Sequence, residues 1–335
     1  MNSYERVMNR FAGKPVDRLP NFSIVMMFAA KQLGVSYGKY CRDYRVLTDG
    51  AFLCYEKFGF DMVCTIADSY REAAGLGADV VVPEEGIPYA VSKRIQKLSD
   101  IDTLKAVDPA SSWRMNDQLE AVRLMKERAC GEVPVVGWIE GAMAESCVLM
   151  DMQEVFMNLL EEPEAMEQLL AVCMEQNLWF AKEQVKAGAD IIGLGDAATS
   201  LIGHTLYEEF VLPYQQKMIR EIHDMGAKVK LHICGNVNAV LDLIAQTGTD
   251  MIDLDFMVDL DRAAELMPQN CCICGNFNPV EVMYQGTPEQ VKKAVRHCMR
   301  IRDKNRNFIA PGCEIPRDTP LENLFALKEA LEEGC

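Results

Sequence analysis

Histidine is scarce in this chain, with 4 among 335 residues, and basic residues are outnumbered, 34 Lys and Arg against 50 Asp and Glu. The resulting net charge of −16 and pI near 4.8 leave no basic face for a phosphate backbone, so no nucleic-acid partner is expected. An anionic membrane surface is set aside on the same ground. No run of about 18 apolar residues occurs, which rules out a membrane-spanning helix of the usual kind. Met1–Lys14 lacks the apolar stretch of a secretory signal, so a cytoplasmic location is expected. Also missing is a glycine-rich fingerprint after the first apolar run, which counts against a dinucleotide-binding sheet.

Sulfur, in contrast, is plentiful, with 13 Cys and 20 Met. With no export signal, these cysteines read as reduced thiols. Cys54, Cys64, Cys147 and Cys173 lie inside apolar runs, where a free thiol packs as a small hydrophobe. A reducing, anaerobic cytoplasm suits so oxidisable a chain. The remaining composition, 49% hydrophobic and 25% charged, is that of a globular protein.

Short apolar runs recur along the chain, each followed by small or polar residues and then an amphipathic stretch. They are Leu19–Val25, Asp61–Ile66, Val133–Ile139, Asp190–Leu194, Lys228–Ile233, Met251–Leu254, Cys271–Cys274 and Asn307–Ala310. Helical segments lie between them, among them Pro163–Ala187, Leu206–Met225, Val237–Thr247 and Thr287–Asn305. Strands alternating with helices imply a parallel sheet, because each parallel crossover needs a connecting helix. Eight such units in one chain predict an α/β fold, a (β/α)8 TIM barrel forming one domain over 1–335. An open doubly wound sheet is the alternative. Roughly 65 residues separate the second and third runs, more than one helix needs. Within them Asp79–Pro83 and Tyr89–Ser92 flank Pro83-Glu84-Glu85-Gly86 and read as a hairpin insertion between strands 2 and 3.

In a barrel, catalytic groups sit where strands end and loops begin. Those places hold Asp68, Glu140, Asp196, His232-Ile-Cys234-Gly-Asn236, Asp253-Leu-Asp255, Cys274-Gly-Asn276 and Gly312-Cys313-Glu314. On a strand, residues two apart face the same side, so His232 and Cys234 can address one ion. Alone, that pair reads more readily as two unrelated strand-end residues. Cys313, at another strand end on the same barrel mouth, makes a three-ligand metal site the better reading, with a fourth position open as in catalytic zinc. Asp68, Glu140 and Asp196 are candidate catalytic acids, although each also reads as a solvated loop carboxylate. Asn236 and Asn276 are candidate cofactor-binding residues. The run Cys271-Cys272-Ile273-Cys274 reads as buried thiols of an apolar strand, and His204, His223 and His297 as surface or helix-end residues.

Several segments resemble the uroporphyrinogen decarboxylase superfamily: Glu5-Arg-Val with Gly13-Lys-Pro-Val-Asp17-Arg18-Leu-Pro20, and Cys274-Gly275-Asn276-Phe-Asn-Pro279 with Gly286-Thr287-Pro288-Glu289. Within it, His232-x-Cys234, Gly312-Cys313 and Thr319-Pro320-Leu-Glu-Asn323 are similar to the cobamide-dependent methyltransferase branch, which includes methylcobamide:coenzyme M methyltransferases. The resemblance runs from residue 5 to about residue 330. It implies a (β/α)8 barrel, zinc on His232, Cys234 and Cys313, and methyl transfer between a corrinoid on a partner protein and a thiol. It leaves open a methyl-donor-side enzyme acting on a methoxy or similar methylated substrate. Decarboxylation fits less well. The decarboxylases place two arginines just after the first strand, whereas Asn21–Cys41 holds only Lys31 and Lys39. Asp68 is the residue that the resemblance sets against their essential aspartate. Glu314 and Pro316-Arg317-Asp318 differ from the methanogen pattern, which makes coenzyme M itself a doubtful acceptor.

Overall fold

The structure, a computed structural model, describes residues 1–300 and 306–334. The last five residues of the expected helix Thr287–Asn305, and Cys335 of the expected domain, lie outside the described residues.

Nine short strands are found among the described residues: β1 (Val63–Cys64), β2 (Val80–Val81), β3 (Tyr89–Ala90), β4 (Val135–Glu140), β5 (Ile191–Gly195), β6 (Lys228–Ile233), β7 (Met251–Leu254), β8 (Cys272–Cys274) and β9 (Asn307–Phe308). Seven form one parallel sheet in the order β1-β4-β5-β6-β7-β8-β9. Helices link consecutive members, Pro163–Ala187 between β4 and β5 and Leu212–Asp224 between β5 and β6. β2 pairs antiparallel with β3, Val80 opposite Ala90.

The first apolar run, Leu19–Val25, makes a single bridge, Asn21 to Ile309, where a full strand was expected. The reason is local. Asn21 N–H donates to the Asp61 carboxylate at 2.8 Å and Ser23 N–H to the Asn21 side chain at 3.2 Å, so these donors are lost to a ladder. Pro20 has no donor at all. What remains still reaches both sheet edges: Phe22 N–H donates to Ile309 O, and Asp61 N–H to Asn21 O, at 2.9 and 2.8 Å. The parallel sheet therefore curls into a barrel-like form.

Burial follows the strand period. On β4, Val135 and Ile139 pack against the helices, while Val136 and Trp138 join Ile191, Met251, Cys272, Cys274 and Phe308 in a second apolar cluster inside the sheet. Val7 and Phe11, from helix Ser3–Phe11, also belong to that inner cluster. By the same alternation Val229, Leu231 and Ile233 of β6 face outward, so Lys230 and His232 point inward. Among the described residues no helix is long and apolar enough to cross a membrane.

Candidate metal centre and active site

Inward-facing positions at the carboxyl end of the sheet meet in a cavity of about 250 Å3. Its walls include Ile24, Met26, Ile66, Ile87 and Trp138, with the polar side chains Asp68, Glu140, Asp196, His232, Cys234, Cys313 and Glu314. A larger outer groove of about 840 Å3, beside helices Pro163–Ala187 and Leu212–Asp224, contains neither His nor Cys among its lining residues.

His232 is the penultimate residue of β6, and Cys234 follows two residues later. Cys313 arrives from the loop after β9. Their ligand atoms all lie within 4.8 Å of one another, the only His/Cys/Asp/Glu group of this kind among the described residues. His232 Nε2 is 3.1 Å from Cys234 Sγ, and the two sulfurs are 3.8 Å apart. Tetrahedral zinc with Zn–S near 2.3 Å places its sulfurs about 3.8 Å apart, so the donor set fits such an ion in both chemistry and spacing. Three donors leave one place for a further ligand.

The residues beneath orient this set. His232 Nδ1 lies 3.1 Å from Asp253 Oδ2, which also receives the buried Lys230 ammonium at 2.7 Å. Burial would push the Asp253 carboxyl up, but Lys230 and His232 outweigh it and hold it at about 2. Burial likewise opposes a charged imidazole, yet Asp253 prevails and raises His232 to about 10. His232 Nδ1–H also has the Asp253 backbone oxygen as hydrogen-bond acceptor at 3.2 Å, which leaves Nε2 facing the sulfurs. The two sulfurs lie within hydrogen-bonding distance, and either can donate to the other. The Cys234 thiol, helped by His232 and opposed by burial, brings Cys313 down to about 4, while Cys234 itself is pushed up.

The expected acids are placed unequally. Asp68 lines the cavity with its side chain fully buried, paired to Arg114 at 2.6 Å and accepting from Tyr70 N–H at 3.0 Å. Asp196 accepts from Ala144 N–H at 2.9 Å and Gln215 Nε2 at 2.8 Å, so both its oxygens are engaged, and burial lifts it to about 6. Glu140 receives Trp138 Nε1–H at 3.1 Å, and burial followed by the neighbouring Glu72 pushes it well up. Neither Asn236 nor Asn276 lines the cavity. Asn236 is exposed and accepts from Asn238 N–H at 3.1 Å, whereas Asn276 donates to Asp255 O and Val258 O, both at 2.9 Å. These contacts hold loops.

Lys230 and Glu72 were not singled out from sequence. Lys230 was legible, since it stands two residues before His232 on an otherwise apolar strand and must share its inward face. Glu72, pushed up to about 7 by burial, accepts Glu140 N–H at 3.0 Å, a contact between distant segments that no spacing rule signals.

A sequence model of the uroporphyrinogen decarboxylase (URO-D) family matches residues 2–334. The chain is 28% identical over 331 residues to a methylcobamide:CoM methyltransferase of Methanosarcina acetivorans, covering 97% of this chain and 96% of that protein. It is 24% identical over 310 residues to a uroporphyrinogen decarboxylase of Carboxydothermus hydrogenoformans, covering 89% and 85%. Among solved structures, a methyltransferase from Methanosarcina mazei superposes with a TM-score of 0.91 at 22% identity, covering 100% of this chain and 99% of that one, a likeness of fold. By the extent of the family match, from the second residue to the last described one, the chain belongs to the uroporphyrinogen decarboxylase family.

Proposed function

We propose that this protein is a zinc-dependent methyltransferase that moves a methyl group between a corrinoid, carried on a partner protein, and a small thiol. The observation that carries the reading is the convergence of His232, Cys234 and Cys313 on one cavity at the barrel mouth. Full-length similarity to methylcobamide:CoM methyltransferases supports it. A zinc ion held there would supply the Lewis acidity that turns a thiol, with an ordinary pKa near roughly 8.5, into a thiolate at neutral pH.

The chain's own residues do the rest. Asp253 fixes the His232 ring, and two cysteine sulfurs keep the centre electron-rich, which favours a nucleophilic sulfur over activated water. Ile24, Met26, Ile66 and Trp138 exclude water around the reacting atoms. Asp68 and Asp196, committed to Arg114, Gln215 and backbone donors, shape the cavity, which leaves Glu140 and Glu314 as the acids facing substrate. The sulfur–carbon bond forms as the methyl–cobalt bond of the donor breaks, with both electrons staying on the donor and the thiol proton lost to solvent. Exposed Ile87, Leu201, Phe256 and Met257, on loops after the strand ends, suit the face of a docked partner.

The test is methyl transfer from methylcobalamin to a panel of thiols, with zinc quantified in the same sample and the thioether identified by mass. Full zinc occupancy without transfer to any thiol would refute the reading. A second expectation concerns the support of His232. Asp253→Asn should weaken zinc binding by roughly 10- to 100-fold, as loss of an outer-shell carboxylate generally does. Lys230→Met should act in the same direction by leaving Asp253 buried without its cation, a loss that costs about 3–5 kcal/mol in stability. Competition with a chromophoric chelator, alongside thermal unfolding, checks both. If Lys230→Met lowered zinc affinity as much in an Asp253→Asn background as in the wild type, the lysine would not be working through Asp253.

A further inference from the structure

The methyl-transfer reading leaves the thiol unspecified, and the cavity narrows it. About 250 Å3 is below the roughly 300–1,000 Å3 typical of drug-sized ligands, so the substrate is small. No Lys or Arg is among the cavity's lining residues, whereas Asp68, Glu140, Asp196 and Glu314 are. The surrounding cations lie outside the lining and each has an acidic partner, with Arg114 Nε and Nη1 left without a hydrogen bond. Arg114 is ion-paired to Asp68 behind the wall, and Lys230 to Asp253 beneath His232. Lys31 and Arg317 line a neighbouring pocket, and both are paired to Asp318. A sulfonate or carboxylate brought into this space would meet apolar walls and four carboxyl groups, with no Lys or Arg among the lining residues to pair with it.

Resting on that reading, we propose that the acceptor is a small thiol carrying a positive charge, an aminothiol with its ammonium directed at Glu140 and Glu314. Trp138 adds an aromatic face of the sort that attracts ammonium groups. Glu140 has one oxygen on Trp138 and, among the described residues, no cation bonded to it, and burial pushes its pKa up, as expected of a carboxylate lacking a counter-ion. An incoming ammonium supplies one. A sulfonate adds a second negative group.

Three thiols built on the same two-carbon chain separate the alternatives: 2-aminoethanethiol, 2-mercaptoethanol and 2-mercaptoethanesulfonate, which is coenzyme M and the bulkiest of the three. Each is assayed with methylcobalamin on the zinc-loaded protein for kcat/KM, and by calorimetry without methyl donor for affinity. The expected order is ammonium, neutral, sulfonate, with the extremes differing by roughly tenfold or more in both measurements. Glu140→Gln, an isosteric change, should compress the ammonium-to-sulfonate ratio toward one, and added salt should do so in the wild type. If the sulfonate equals or exceeds the aminothiol while methyl transfer proceeds, the charge inference is overturned and the methyltransferase stands. If no thiol binds or accepts a methyl group, both fall together.

Discussion

Cys313→Ala is expected to abolish zinc binding and methyl transfer together while the barrel stays folded. Apparent binding energies of roughly 10–16 kcal/mol for four-ligand zinc divide into a few kcal/mol per ligand, so losing one thiolate lowers affinity by several orders of magnitude. The fold does not depend on that sulfur, because the inner apolar cluster and the outer core are assembled without it. Metal-free Cys313→Ala should therefore unfold within about 1 kcal/mol of metal-free wild type, the scale of a substitution away from a packed core. With zinc added, the two diverge. A ligand present at 1,000 times its Kd stabilises the native state by about 4.1 kcal/mol, and only the wild type should show the matching rise in melting temperature. Cys234→Ala should behave the same way. Cys274→Ala is the control: Cys274 is buried on β8, on the inner face, but lies outside the three-ligand group, so zinc binding should survive while packing weakens. Methyl transfer retained by a zinc-free Cys313→Ala protein would remove the metal from the chemistry.

Much of this site was legible before any fold was known, for a geometric reason. In a parallel α/β chain the strand period assigns each inward residue, and the strand-end rule collects those residues at one mouth. Those two rules place His232, Cys234, Cys313, Asp68, Glu140 and Asp196 around one cavity. What they could not assign was occupancy. Asp196 and Asp68 spend their oxygens on Gln215, Ala144, Arg114 and Tyr70, partners from segments whose approach no local pattern encodes. Asn276 lies outside the cavity lining for a like reason, since its amide holds the loop after β7 through Asp255 O and Val258 O. The first run was read as a strand on its apolar content, and that content is indeed buried at Phe22 and Ile24. Its backbone donors decided otherwise, because side-chain oxygens of Asn21 and Asp61 captured them. Hydropathy predicts where a segment goes more reliably than it predicts what its N–H groups bond to.

The same geometry makes a residue with no functional atoms decisive. Gly312→Ala is expected to cost about 1–3 kcal/mol of stability, as overpacking does, and to weaken zinc binding on the order of 100-fold, as a displacement near 1 Å does to a preorganised site. A Cβ built at Gly312 would clash with Phe256 N and lie 2.8 Å from Asp255 C and 3.0 Å from Phe256 Cα, all backbone atoms that cannot rotate aside. That backbone is fastened. The Asp255 carboxylate accepts Gly235 N–H at 2.9 Å and Met257 N–H at 3.1 Å, tying the loop after β7 to the residue that follows Cys234. Gly312 N–H in turn donates to Phe277 O at 2.9 Å. The methyl group must therefore push the 312–313 segment outward, and Cys313 moves with it, away from a partner sulfur now 3.8 Å distant. The variant differs from Cys313→Ala in a diagnostic way: every ligand is still present, so lost affinity reports position alone. A larger, softer ion such as cadmium, which tolerates longer bonds to sulfur, should be affected less than zinc. If Gly312→Ala binds zinc as tightly as the wild type does, the contact between the two loops is not what sets the Cys234–Cys313 spacing.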